Sequence, residues 1–84
     1  MRKAERARRI RYYAQRAGLS RGEIAHLVDV TEQAVYQWFK GRATPTIDNL
    51  ARFCTICGID LHIFFDPQPL HSNRDDGNGD DKAA

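Results

Sequence analysis

Apolar residues recur along this chain at helical rather than alternating spacing, and the recurrence stops and restarts at residues that end or begin helices. From about Arg6 to Ala17 the positions Ala7, Ile10, Tyr13, Ala14 and Ala17 mark one face of a first helix, arginines fill the other faces, and Gly18 stops it. Ser20 stands three residues before Glu23, a spacing at which hydroxyl and carboxylate each satisfy a free backbone amide of the other. A second helix is predicted from there, with Ile24, Ala25 and Val28 inward. Asp29 tolerates a left-handed backbone, Val30 plugs the corner, and Thr31 caps a third helix with Ala34, Val35 and Trp38 inward and Gly41 at its end. Thr46 caps a fourth helix whose inner stripe is Ile47, Leu50, Phe53, Cys54 and Cys57, closed by Gly58. Ile59 to Phe65 predicts a short fifth helix begun by Asp60, and Pro67 and Pro69 prevent its extension. The segment HSNRDDGNGDDKAA has no periodicity and too few apolar residues to offset its ordering entropy. The expectation is an all-α, compact five-helix domain over residues 1–66 and an acidic disordered tail over residues 67–84.

Charge changes this picture more than composition does. At 84 residues and 42% hydrophobic content the chain suits one small domain, which at this size buries only about 60% of its unfolded surface. The formal charge of +2 conceals a strong polarity. Arg2, Lys3, Arg6, Arg8, Arg9, Arg11 and Arg16 face Glu5 alone in the first sixteen residues, whereas the stretch after residue 65 has five aspartates against Arg74 and Lys82. Two cysteines, no run long enough to span a bilayer and no apolar signal core indicate a cytoplasmic protein in a reducing compartment.

Little enzymatic chemistry is visible. No nucleophile and base pair, metal cluster or phosphate-cradling loop is apparent, so neither catalysis nor a cofactor is expected. Cys54 and Cys57 form a CTIC sequence, but both fall on the apolar stripe of the fourth helix, where free cysteine is commonly a small buried hydrophobe. A structural zinc site would need two more ligands, and His26, His62 and His71 lie on different elements.

Residues 20 to 41 thus read as two short helices joined by a turn too tight for an ordinary loop. With its flanks this pattern resembles the XRE-type, phage-repressor-like helix-turn-helix family over roughly residues 7 to 65. The likeness rests on Leu19-Ser20, Ile24-Ala25, Val30-Thr31, the set Val35, Trp38 and Gly41, then Pro45, and Cys57-Gly58-Ile59. Three positions depart from the family pattern. Asp29 replaces a frequent glycine, Arg21 replaces a frequent glutamine, and Ala14 and Phe39 replace an arginine and glutamate that often pair. Both partners of that pair are missing together, so no charge is stranded and Phe39 is expected to pack near Ala14.

The resemblance implies a sequence-specific DNA-binding regulator, a repressor that inserts the helix 32–40 into the major groove of double-stranded DNA as a homodimer. It places Glu32, Gln33, Tyr36 and Gln37 toward base edges, and Ser20, Arg21, Thr31, Lys40 and Arg42 toward phosphates. The chemistry suits those places: glutamine bonds adenine through two atoms and glutamate accepts from cytosine. Within residues 20–42 the basic Arg21, Lys40 and Arg42 are balanced by Glu23, Asp29 and Glu32. Arg2, Lys3, Arg6 and Arg9 are therefore expected to add attraction as an N-terminal arm. Leu27, Phe64 and Phe65 make an apolar patch, with Phe64 and Phe65 expected at a dimer interface. The competing reading, favoured by the neutral motif and the acidic tail, is a protein-interaction module on the same fold.

Overall fold

The computed structural model describes residues 1–67, and the acidic tail expected beyond lies, with His71, outside the described residues apart from Pro67. Five helices follow in order: α1 (Lys3–Ala17), α2 (Arg21–Val28), α3 (Glu32–Lys40), α4 (Ile47–Cys57) and α5 (Leu61–Phe64). The all-α expectation holds, and no strand occurs among the described residues.

The local signals act as their chemistry requires. The Glu23 amide donates to Ser20 Oγ at 3.1 Å and the Ser20 amide donates to Glu23 Oε1 at 2.8 Å, completing the reciprocal cap of α2. Thr31 Oγ1 accepts from the Ala34 amide at 3.0 Å, and Thr46 Oγ1 from the Asn49 amide at 3.2 Å. The four longer helices share one stop. Gly18, Asp29, Gly41 and Gly58 are left-handed, and the amide of the residue after each returns five residues to a carbonyl in the last turn, at 3.0 Å. After α1, α2 and α4 that following residue is apolar, Leu19, Val30 or Ile59, and packs onto the core. After α3 it is Arg42, exposed instead.

The core is a single cluster drawn from all five helices, with Ile10, Ile24, Val28, Val35, Phe53, Cys54 and Phe64 fully enclosed and Trp38 also buried in it. Phe39 is half-buried against this cluster, to which Ala14 also belongs. Gly41 ends α3 against the first turns of α1: a Cβ there would stand 3.5 Å from Ala7 Cβ and 3.6 Å from the Lys3 carbonyl oxygen.

Several sequence expectations need correction. Helix α1 starts at Lys3, a turn earlier than the apolar pattern indicated, so most of the basic N-terminal segment is helix rather than free arm. Ile47 is 60% exposed, because the first residue of α4 precedes the turn that meets the core. Phe64 is fully buried, with its ring 6.1 Å from that of Tyr13, so it belongs to the core and not to an interface. Only Phe65, 38% exposed, stays at the surface. Arg9 is likewise no arm residue. It is the one buried charged side chain among the described residues, bonded through Nε to Glu5 Oε2 at 2.7 Å and through Nη1 to the Phe64 carbonyl at 2.7 Å and the Asp66 carbonyl. Its charge and fork of donors close the C-terminal end of α5, which is too short to hold itself.

Replacing Arg9 by alanine leaves those carbonyls without their donor, and unfolding in urea is expected to show a loss of about 2 kcal/mol. Lysine at this position should recover only part of it, because one ammonium cannot reproduce the guanidinium fork. Glu5 sets an acid-side dependence. Partial burial pushes its carboxyl up, but the hydrogen bonds and charges of Arg8 and Arg9 outweigh burial and hold it below the ordinary value. A folded-state pKa below the unfolded one gives stability that is complete above the usual glutamate range and is lost as pH falls through the folded value. Between about pH 6 and about pH 3 the wild type should therefore lose stability more steeply than Glu5→Gln in denaturation midpoints.

Candidate nucleic-acid interface

Helix α3 carries its chemistry on the side turned away from the core. Val35 and Trp38 are buried, Glu32 and Gln33 exposed, and Tyr36 and Gln37 half-buried along the edge. The turn ahead of α3 fixes this orientation. Asp29, at φ 67°, reverses the chain, Val30 packs on the core and its amide donates to the Ala25 carbonyl at 3.0 Å, and Thr31 opens the next helix. No residue is left over for a flexible loop.

The residues the sequence placed near phosphates fall along both flanks of that face. Ser20 and Thr31 are N-caps whose oxygens already accept from their own helices. A hydroxyl also donates, so each keeps one hydrogen directed to whatever lies outside. Arg21 and Lys40 come together at Tyr36: the Arg21 guanidinium carbon lies 5.1 Å from the ring centroid and Lys40 Nζ lies 5.6 Å from it, both within range of cation–π attraction. Two shallow grooves meet here. One is lined by Arg21, Glu32, Gln33 and Tyr36, the other by Arg11, Arg21, Tyr36, Phe39 and Lys40. Glu32 leans over the start of α2, where a Cβ on Gly22 would stand 3.9 Å from Glu32 Oε2. A carboxylate at a helix N-terminus is favourably placed, so Glu32 already has a local reason for its position.

Arg11 is the residue that sequence reasoning missed. It looked like one more arginine on the solvated side of the first helix, yet its Nη1 donates to the Phe39 carbonyl in the last turn of α3. The signal lay in register: Arg11 shares a helical face with Ala7 and Ala14, the side of α1 that meets α3. Of the four residues expected in an arm, Arg2 and Lys3 are exposed at the start of α1. Arg6 reaches Thr44 Oγ1 and the Met1 carbonyl, both at 3.1 Å, tying α1 to the loop after α3.

The sequence of this chain matches a family described as helix-turn-helix, HTH_3, over residues 10–64. The chain belongs to that family. Among solved structures it is similar to an HTH_3 family transcriptional regulator from Vibrio cholerae, at 25% identity and a TM-score of 0.67. That alignment covers 75% of this chain and 35% of the other, so this chain spans about a third of the length of the Vibrio protein. Comparison with curated proteins returns no match.

The remaining chemically distinctive residues lie elsewhere. Cys54 is buried and Cys57 half-buried, both as free thiols, and burial pushes each up to about 11, with the neighbouring Cys57 adding to the effect on Cys54. Both stay protonated near neutral pH, which suits packing rather than thiolate chemistry. His26 and His62 are exposed, and no cluster of three or more metal-binding side chains occurs among the described residues. Nor is any helix there long and apolar enough to cross a membrane.

The turn makes a direct prediction. A β-branched residue is strained at φ 67°, so Asp29→Val should lower unfolding free energy by about 1–2 kcal/mol. Asp29→Gly should be nearly neutral, because relief of that strain is offset by about 0.5–1 kcal/mol of added unfolded-state entropy. Urea denaturation of both variants separates backbone conformation from side-chain contact at this position.

Proposed function

We propose that this chain is a DNA-binding transcriptional regulator that lays α3 in the major groove and reads bases through Glu32, Gln33 and Gln37. The observation that carries this reading is the two-sidedness of α3: one face is locked into the core by Val35 and Trp38 while the other presents amide and carboxylate groups at its N-terminal end. Family membership and the likeness to a transcriptional regulator support the same reading. Ser20, Arg21, Thr31, Lys40 and Arg42 flank that face as phosphate contacts, with Arg2 and Lys3 adding charge at the start of α1. These contacts set position and affinity while the base-edge contacts set sequence.

Repression is the proposed outcome, because a regulator seated in the major groove at a promoter occludes it. Binding is as a homodimer on two half-sites about one helical turn apart, in a bacterial or phage cytoplasm. Phe65, which Phe64 backs at 5.3 Å between ring centroids, is the aromatic residue left for a two-fold contact.

Selection of bound duplexes from a random pool tests the reading. Wild type should enrich a motif with two inverted half-sites. Gln33→Ala or Gln37→Ala should each cost about 1–3 kcal/mol on that motif and relax preference at one base position per half-site. Arg42→Ala should weaken binding to all sequences alike. A pool without enrichment, or equal binding to every duplex, would sink the assignment of α3 and favour the interaction-module reading instead.

A further inference from the structure

The groove beside α3 brings three cations to two aromatic rings, and no carboxylate is among the residues that line it. Arg11 comes from α1, Arg21 from α2 and Lys40 from α3, with Tyr36 and Phe39 between them. Glu5 engages Arg8 and Arg9 in the ion pairs of the described residues, and none of those pairs includes Arg11, Arg21 or Lys40. Cations gathered without an acid repel one another, so something must hold them. Two holds are visible. The electron-rich face of Tyr36 attracts both the Arg21 guanidinium, at 5.1 Å, and the Lys40 ammonium, at 5.6 Å. The Phe39 carbonyl, near the negative end of α3, tethers the Arg11 guanidinium.

We infer that this groove seats a backbone phosphate of the bound DNA, with Arg11 as its third cation and Tyr36 as the residue that positions Arg21 and Lys40. The inference rests on the DNA-binding reading above and changes one part of the sequence expectation, since Tyr36 then orients cations and does not read a base. Charge complementarity selects the occupant. The occupant is an anion, and the two non-bridging oxygens of a phosphodiester carry lone pairs enough to accept donors arriving from three helices. Placement selects the DNA backbone as its source. The groove shares Arg21 and Tyr36 with its neighbour, which Gln33 and Glu32 line, so a duplex presenting base edges to Gln33 brings its sugar-phosphate rim to this flank.

Ala14 and Phe39 stand where the family resemblance leads one to expect an ion pair. With no carboxylate at the end of α3, Arg11 reaches the Phe39 backbone in place of an acidic side chain, and its charge stays available to an external anion.

The test uses the full chain on the duplex it selects from a random pool, with affinity measured across a salt series. Arg11→Gln keeps a donor for the Phe39 carbonyl while removing the charge. It should weaken binding on the order of tenfold and reduce the slope of log affinity against log salt by about one, with Arg11→Lys restoring the slope. Tyr36→Phe keeps the ring and should leave affinity and selected motif unchanged. Tyr36→Leu should weaken all duplexes alike, again with an unchanged motif. Thermal melts of each variant accompany the titrations, and Tyr36→Phe, the mildest change, decides the matter if the leucine variant does not fold. An unchanged salt slope in Arg11→Gln overturns the phosphate seat. A changed motif in either Tyr36 variant, or a loss in Tyr36→Phe, overturns the positioning role. If wild type selects no motif at all, the failure belongs to the DNA-binding reading itself.

Discussion

Helices α2 and α3 span eight and nine residues, lengths at which an isolated helix does not persist in water. What keeps them formed is their mutual packing across the turn at Asp29, Val30 and Thr31. That turn works by three constraints in succession: a left-handed residue reverses the chain, an apolar residue anchors it to the core, and a hydroxyl starts the next helix. Each compensates for something the others cannot supply. The left-handed residue alone would leave the angle between helices undetermined, and the cap alone would not hold α3 against α2. Val28 before the turn and Val35 after it, both fully buried, convert the local geometry into a fixed docking angle. The orientation of the exposed face of α3 follows from that angle, and with it everything proposed about recognition.

Around this pair the other described helices are scaffold joined by a few long-range ties. Gly41, left-handed at φ 74°, ends α3 beside Lys3 and Ala7 of α1. Arg6 and Arg11 bond from α1 to the loop after α3 and to its last turn. Arg9 does the same for α5 at the other side of the core, through the Phe64 and Asp66 carbonyls. The arginine-rich first helix is thus largely a bonding element. Its side chains satisfy the carbonyls that short helices leave bare at their C-terminal ends, a task for which a planar group with five donors is well suited.

That division explains what was legible in the sequence. Caps and stops are local, written within four or five residues, so Ser20, Glu23, Thr31, Thr46, Gly41 and Gly58 could be read directly and Asp29 was recognisable as a left-handed turn residue. The helix count and the tight turn followed from them. Burial at element ends was less legible, because helical spacing says which positions share a face but not where along a helix the core begins. Ile47 stands one turn too early to reach it, and Phe64, adjacent to an equally apolar Phe65, could not be assigned to either side by spacing. The arginines were the least legible of all. Arg9 and Arg11 are two residues apart in a charged run, yet one is enclosed by α5 and the other lies open beside α3. Register places Arg11 on the face of Ala7 and Ala14, but which backbone carbonyl each arginine meets depends on tertiary positions that no local pattern encodes. The residues proposed to meet DNA were legible as a polar face of α3, while the contribution of α1 to the same surface was not.

The face of α3 that holds Glu32 and Gln33 touches almost nothing in its own domain. Beyond the place of Glu32 at the start of α2, their identities are weakly tied to whether the protein folds. Selection on folding would act on Val35, Trp38, Gly41 and the turn, and would leave these two positions to drift. A lineage built on this scaffold can explore new target sequences by single substitutions without first passing through an unstable ancestor. The architecture separates the part that must be inherited from the part that is free to diverge.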